Sequence, residues 1–225
     1  GPKKNPFIPW DKELSICGIK DNHQLILNKY PVQLGHMLLI TNSWKPQNGW
    51  LNQNDFKALI NVNSDTTGLW FFNSGPRAGA SQPHRHFQLL PRSSNHRLCP
   101  REGWFKSKLE SQESYDSSMY GCYSISKIND ELDDSTGLKL YNKYLELSFI
   151  LGLGDVNNIN KPLFPYNLLI TSNWICIFKR SSESSHGFSI NSLGFAGYIL
   201  STSISDVNWL KSNTLEKLLS EVIAK

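Results

Sequence analysis

Through residue 91 the chain alternates short apolar runs with polar, turn-rich stretches. Gln24-Leu25-Ile26-Leu27-Asn28 predicts a strand, and Lys29-Tyr30-Pro31 ends it, because proline has no N–H for a ladder. Gly35-His36-Met37-Leu38-Leu39-Ile40 predicts a second strand, near enough to pair with the first as a hairpin. Asn54 can cap a short helix that buries Phe56, Leu59 and Ile60. Residues 68–72 predict an aromatic strand, and a Gly-rich loop follows over 73–82. The run 83–91 is bounded by proline at both ends, as a short strand would be. Residues 92–136 are polar and predict a connecting excursion with one strand near 120–128. Residues 138–151 predict a helix with Tyr141, Tyr144, Leu145 and Phe149 on one face. Residues 166–180 predict a hairpin around Ser172-Asn173. At the C-terminus, Asn213 with Glu216 three residues on marks a helix start. Leu215, Leu218, Leu219, Val222 and Ile223 then form one apolar stripe.

These elements predict a single α+β domain over 1–225, an antiparallel sheet with helices packed on it. Residues 1–91 would carry the pocket and the catalytic strand, 92–136 the excursion, and 137–225 the C-terminal half. With 225 residues, 39% of them hydrophobic and 19% charged, the composition is that of an ordinary globular chain. Such a length can bury roughly 70–75% of the unfolded surface without help from disulfides. No run approaches the ~20 apolar residues of a membrane span, and no apolar h-region follows Gly1-Pro2-Lys3-Lys4. Cys17, Cys99, Cys122 and Cys176 are widely spaced and form no C-x-x-C, which suggests reduced thiols and a cytoplasmic setting. His96-x-x-Cys99 supplies two ligands only and reads as a loop coincidence. The net charge of +4 is too small for a nucleic-acid coat and suits a small polyanionic substrate.

The strongest chemical signal is His84-x-His86-x-Gln88. With a side-chain period of two, all three would project from one strand face, while Phe87 and Leu89 point to the core. A polar sheet face with satisfied histidines is one reading. A metal site is another, but it lacks a third ligand and Gln88 is a poor one for zinc. Nucleophilic catalysis at phosphorus is the third, since a neutral imidazole is a competent nucleophile near neutral pH. The loop Gly79-Ala80-Ser81-Gln82 favours it, because its N–H groups and side chains can face an anion.

Asn73, the Gly-rich loop, Ser81 and His-x-His-x-Gln resemble the active-site block of the histidine-triad superfamily. Glutamine at 88 resembles its transferase and phosphorylase branch, which includes galactose-1-phosphate uridylyltransferase and diadenosine tetraphosphate phosphorylase. Asn5-Pro6-Phe7, the stretches 27–31 and 35–40, Tyr166-Asn167-Leu168-Leu169-Ile170-Thr171 and residues 191–197 are similar to the phosphorylase family. The resemblance implies phosphorolysis of diadenosine tetraphosphate to ATP and ADP, with His86 as the nucleophile. The His84 carbonyl would hold the ring and Gln88 would donate to a phosphate oxygen. Asn28, with Lys29 beside it, would meet the ribose. Asn73, Gly79, Ala80, Ser81 and Gln82 would hold the reacting phosphates. Asn167 belongs to the matching segments, and Lys179-Arg180 could neutralise the far phosphates or be solvated charges that protect a strand end. His36 either supports the site from behind or is simply a core histidine, and the second reading is preferred. No protein-bound metal or cofactor is expected; Mg2+ would travel with the substrate phosphates, and inorganic phosphate would be the second substrate. Neither nucleic acid nor membrane is an expected partner, and the oligomeric state is open. A nucleotide-sugar phosphorylase or uridylyltransferase, a dinucleoside polyphosphate hydrolase and a nucleotide-binding regulatory module are the rival readings.

Overall fold

The computed structural model describes residues 5–20, 22–92, 98–110, 118–128 and 136–225. Besides a separate two-stranded pair at Ser184–Ser185 and Phe188–Ser189, the strands among these residues are β1 (Ser15–Ile19), β2 (His23–Leu27), β3 (Met37–Thr41), β4 (Gly68–Asn73), β5 (His86–Pro91), β6 (Tyr123–Lys127), β7 (Tyr166–Ile170) and β8 (Trp174–Lys179). They form one sheet in the order β1-β2-β3-β5-β4-β7-β8-β6, antiparallel at every pairing. The β4–β7 pairing, from Trp70↔Ile170 to Asn73↔Asn167, joins the strands of the two chain halves into that sheet.

Alternation along the strands gives the sheet two buried faces. Trp70, Phe72, Phe87, Leu89, Leu168 and Ile170 point to the face covered by α1 (Gln53–Asn63) and, later in the chain, a helix at Thr136–Ile150. Leu69, Phe71, Leu90, Leu169, Cys176 and Phe178 point to the other face. There α2 (Glu102–Glu110) and the short C-terminal helices cover only the half around β4, β7 and β8. Phe105 of α2 stacks on Trp174 with ring centroids 4.1 Å apart. Over β2, β3 and β5 that face carries only Phe7, Ile26, Leu38 and Ile40, with Trp10 packed against them. One half of the sheet therefore has a filled core on both sides, and the other half has a hollow on one side.

Several local expectations are corrected. The cap of α1 is Asn52. Its extended backbone lets Oδ1 accept the N–H groups of Asn54 and Asp55, and Asp55 accepts the Asn52 N–H in return. The excursion holds α2 as well as a strand, which is shorter than expected. The helix predicted at 138–151 is α3, Thr136–Ile150. Its buried stripe is Leu140, Tyr144, Leu147 and Ser148, while Phe149 is 71% exposed. Tyr144 is buried and Tyr141 and Leu145 pack against the same core, so the expected face holds except at Phe149, whose place on it is taken by Leu147 and Leu140. α4 (Ser192–Ala196) follows the sheet. Asn213 ends α5 (Val207–Ser212), and Thr214 caps α6 (Leu215–Ser220). The helix stops before Val222 because the Val222 carbonyl accepts from Ser181 N and Arg180 Nε. Ile223 pairs with Arg180 in a bridge and stays buried. His96 lies outside the described residues, and Cys99 is buried, its thiol pushed up to about 12 by burial.

Asp55 links α1 to the strands beneath it. Its carboxylate meets His23 Nε2 of β2 at 3.1 Å and Arg85 Nη1 at 3.0 Å, and all three residues are buried. Removing the acid leaves a buried guanidinium without its counter-charge and breaks the reciprocal half of the α1 capping box. Asp55→Ala should lower the unfolding free energy by about 3–5 kcal/mol, read by urea denaturation. A loss within ordinary surface-substitution scatter would contradict this account.

Candidate active site

β5 enters the sheet at His86, not at residue 83. His84 lies ahead of it in an isolated bridge with Pro46. His84 and His86 both pack their rings against Phe7, at 5.6 and 5.3 Å between centroids, but only His86 and Gln88 line the cavity beside it. His84 is fully buried and faces inward: its Nε2 lies 2.8 Å from the Thr41 carbonyl, and its Nδ1 lies 2.9 Å from Asn5 Nδ2. A carbonyl only accepts, so Nε2–H donates and Nδ1 accepts from the Asn5 amide. His84 thus anchors the N-terminal segment rather than facing the hollow.

His86 and Gln88 do share a face, opposite Ile40 and Leu38 of β3. His86 Nδ1 lies 2.8 Å from the His84 carbonyl oxygen. Because that oxygen cannot donate, the proton sits on Nδ1 and Nε2 keeps its lone pair. Burial lowers the His86 pKa to about 4, with the His84 hydrogen bond working against the shift. The ring is neutral at pH 7.

The backbone of His86 is held by a residue that the sequence does not single out. β4 pairs with β5 only from Gly68↔Pro91 to Phe71↔Gln88 and then continues along β7. Gln47, from the loop after β3, fills the gap beside His86. Its Oε1 accepts the His86 N–H at 2.8 Å, and its Nε2 donates to the Asn73 carbonyl at 2.9 Å and the His86 carbonyl at 3.2 Å. A side-chain amide thereby stands in for the missing strand. Gln47 sits 39 positions from His86 in a loop with no repeating pattern, so no local signal marks it.

The hollow is a cavity of about 450 Å³. His86, Gln88, Ser81 and Gln82 line one side; Asn28, Lys29 and Tyr30 line another; Ile26 and Leu38 give it an apolar wall. Asn5, Pro6, Phe7, Pro9 and Trp10 also line it, and Phe7 packs its ring 5.3 Å from that of His86. This N-terminal contribution escapes the strand pattern, although Asn-Pro-Phe is a recognisable turn; Asn5 Oδ1 accepts the Phe7 N–H. Ser81 and Gln82 hydrogen-bond no other described residue. Asn28 lies at the rim with its amide engaged, Oδ1 accepting from Tyr30 N and Nδ2 donating to His36 Nδ1.

Five of the expected contacts are placed elsewhere. Asn73 and Asn167 are buried side by side, and Asn73 Oδ1 accepts from Asn167 Nδ2, Ser192 N and Ser192 Oγ. Asn167 also donates to the Ala78 carbonyl and accepts from Arg180, which is fully buried in a cage of carbonyls. These side chains fix the Gly-rich loop and the start of α4 instead of lining the cavity. The N–H groups of Gly79 and Ala80 bond to the Pro76 and Gly75 carbonyls, so they are spent within the loop. Gly79 is required for another reason. Its φ is +83°, and a Cβ there would lie 2.6 Å from Asn191 Cβ. Lys179 ends β8 over the ring of Phe164, 5.1 Å from its centroid, and does not line the cavity.

Among the described residues, no cluster of three or more His, Cys, Asp or Glu could hold a metal ion, and no helix is long and apolar enough to cross a membrane.

An unprotonated histidine at the head of a central strand, over a nucleotide-sized cavity, defines a class of group-transfer sites. Comparison with known proteins fixes the family. A model of the Ap4A phosphorylase N-terminal domain matches residues 1–102, and one of the ATP adenylyltransferase C-terminal domain matches residues 104–225. The chain belongs to the Ap4A phosphorylase/ATP adenylyltransferase family and is a nucleotidyltransferase of the histidine-triad-like fold. It is 27% identical to Protein APA1 of Saccharomyces cerevisiae over 242 residues, covering 98% of this chain and 75% of that protein. It is 26% identical to diadenosine 5',5'''-P1,P4-tetraphosphate phosphorylase 2 of the same yeast over 222 residues, covering 88% and 68%. The crystal structure of yeast Ap4A phosphorylase Apa2 in complex with Ap4A has the same fold, with a TM-score of 0.72 at 22% identity over 98% of this chain and 81% of that one.

His36, like His86, is buried and has its pKa lowered from 6.5 to about 4 by desolvation. The unfolded chain binds more protons than the folded one between these values, so stability is lost as the pH falls from 6.5 towards 4. Each ring should contribute a slope of about 1.4 kcal/mol per pH unit there. Urea titrations across this range should show that slope reduced by about one proton in His86→Ala. An unchanged slope would mean that the His86 ring is not held neutral.

Proposed function

We propose that this chain cleaves diadenosine tetraphosphate with inorganic phosphate to give ATP and ADP, in one catalytic domain that spans both halves. The observation that carries the reading is the His86 Nε2 lone pair, held on a cavity wall by the Nδ1–H bond to the His84 carbonyl. Membership in the family and the names of the yeast relatives give the substrate class.

In the first step Nε2 attacks the phosphorus that bears one adenosine. A P–N bond forms, the P–O bond to the remaining triphosphate breaks, and ATP leaves. The imidazole, adenylylated on Nε2 and still protonated on Nδ1, keeps its bond to the His84 carbonyl. In the second step an oxygen of inorganic phosphate attacks the adenylyl phosphorus. The P–N bond breaks, the lone pair returns to Nε2, and ADP leaves. Running the steps backwards transfers adenylate from ADP to ATP.

Gln88 cannot titrate, so it serves as a neutral donor in both directions. Ser81 and Gln82, unengaged by other described residues, are the remaining donors beside His86 for the reacting phosphates. Asn28 and Lys29 line the cavity and would meet the nucleoside end, where the exposed Lys29 would face the polyphosphate charge. Mg2+ would arrive bound to the substrate, since Asp11 is the one carboxylate among the described residues that line the cavity. Reduced cysteines and a nucleotide substrate suit the cytoplasm.

The test is to incubate the protein with diadenosine tetraphosphate with and without phosphate. ATP and ADP should form only with phosphate; AMP and ATP formed without it would identify a hydrolase. Substrate radiolabelled at the adenosine-bearing phosphorus should leave a burst of protein-bound label, which His86→Ala abolishes together with turnover. Gln88→Ala should slow turnover by about 10²–10³-fold, the scale for one oriented donor at developing charge.

A further inference from the structure

A primary amide presents a donor at one end and an acceptor at the other, and the two are nearly the same shape. With its NH2 towards the cavity, Gln88 stabilises charge on a phosphate oxygen. Turned over, its carbonyl repels that charge. The reaction therefore depends on something that chooses between the two orientations.

His36 is 2% exposed and precedes β3, with its ring against Phe71 at 5.8 Å between centroids. Its Nδ1 faces two groups, the Val32 backbone N–H at 3.4 Å and Asn28 Nδ2 at 3.2 Å. A backbone N–H cannot accept. The Asn28 amide is itself oriented by a backbone N–H, because Tyr30 N donates to its Oδ1 at 3.0 Å and leaves the NH2 towards the ring. Both neighbours of Nδ1 are donors, so Nδ1 carries no proton. Burial keeps the ring neutral, and its single proton is on Nε2. Nε2 lies 3.1 Å from Gln88 Oε1 and donates to it. The Gln88 nitrogen is thereby left for the cavity.

We infer that His36 is a positioning residue that fixes the Gln88 amide with its NH2 towards the phosphates, reading that orientation from the backbone of the 28–32 turn. The same ring grips Asn28, which lines the nucleoside end of the cavity, so one imidazole ties the pocket's turn to the donor at the reacting phosphorus. The inference rests on the proposed part of Gln88 as a phosphate donor.

The experiment is a double-mutant cycle on kcat for phosphorolysis. His36→Phe keeps a ring of similar size and removes both nitrogens. It should lower kcat by about 10²–10³-fold, as loss of the oriented donor itself would, with a smaller rise in KM from the released Asn28. His36→Gln, whose Nε2 can still donate to Gln88, should be faster than His36→Phe. The double variant His36→Phe/Gln88→Ala should be no slower than Gln88→Ala alone, because the second change removes what the first one positions. Melting curves report folding, and if His36→Phe does not fold, His36→Leu takes its place in the cycle. Parental kcat in a folded His36→Phe, losses that multiply in the double variant, or a His36→Gln as slow as His36→Phe would overturn the inference. A slow Gln88→Ala beside a fast His36→Phe overturns this inference alone. A Gln88→Ala of parental kcat overturns the reading of Gln88 as well.

Discussion

The hydrogen bond from His86 Nδ1–H to the His84 carbonyl governs the chemistry available to this fold. It puts the one imidazole proton on the side away from the cavity and leaves a lone pair on the other. The bond meets no competition where the His84 carbonyl is unused by a ladder. That condition is met because residue 84 meets Pro46 only in an isolated bridge, whose hydrogen bonds run from Arg85 N to Lys45 O and from Gln47 N to Pro83 O. The position of His84 just outside the strand thus leaves its carbonyl to the His86 ring. The His84 ring, locked between Thr41 and Asn5, holds the backbone in that place.

The rest of the structure protects this arrangement against the tendency of a sheet to close its gaps. β4 leaves β5 at Phe71, and Gln47 occupies the space with an amide that satisfies both β4 and β5. Asn73, where β4 ends, is bound to Asn167 and Ser192, and Asn167 to the buried Arg180. Buried polar groups of this kind are costly unless every partner is present. They make the Gly-rich loop an extension of the core, which presents Ser81 and Gln82 at the cavity while its glycine allows close packing against Asn191. On the opposite side Arg85, flanked by the two histidines, is tied through Asp55 to α1.

The uneven cover of the sheet explains where the cavity lies. Apolar side chains on the β4, β7 and β8 half meet aromatic residues from α2 and α4, as in the stack of Phe178 on Phe195. The β2, β3 and β5 half carries smaller aliphatic groups, and only the N-terminal segment with Phe7 and Trp10 folds over it. Space of nucleotide size remains, walled by apolar surface and edged by a few polar groups, the usual constitution of a ligand site.

Much of the fold was legible from local pattern. Alternating runs marked β2 to β5 and the β7–β8 hairpin, and His-x-His-x-Gln with the Ser-Gln loop pointed to His86, Gln88, Ser81 and Gln82, all of which line the cavity. The hidden parts depend on residues distant in the chain. Asn73 and Asn167 look like ligands until the β4–β7 pairing buries them against each other. Gln47 and the N-terminal turn carry no periodic signal, and His36 reads as core until its two donors are seen. The chain by itself determined which residues have the chemistry and which strand bears it, because side-chain type and the two-residue period are local properties. Which of those residues face the substrate, and which proton sits on which nitrogen, was decided only by the tertiary structure, because hydrogen-bond partners are set by contacts between segments far apart in sequence.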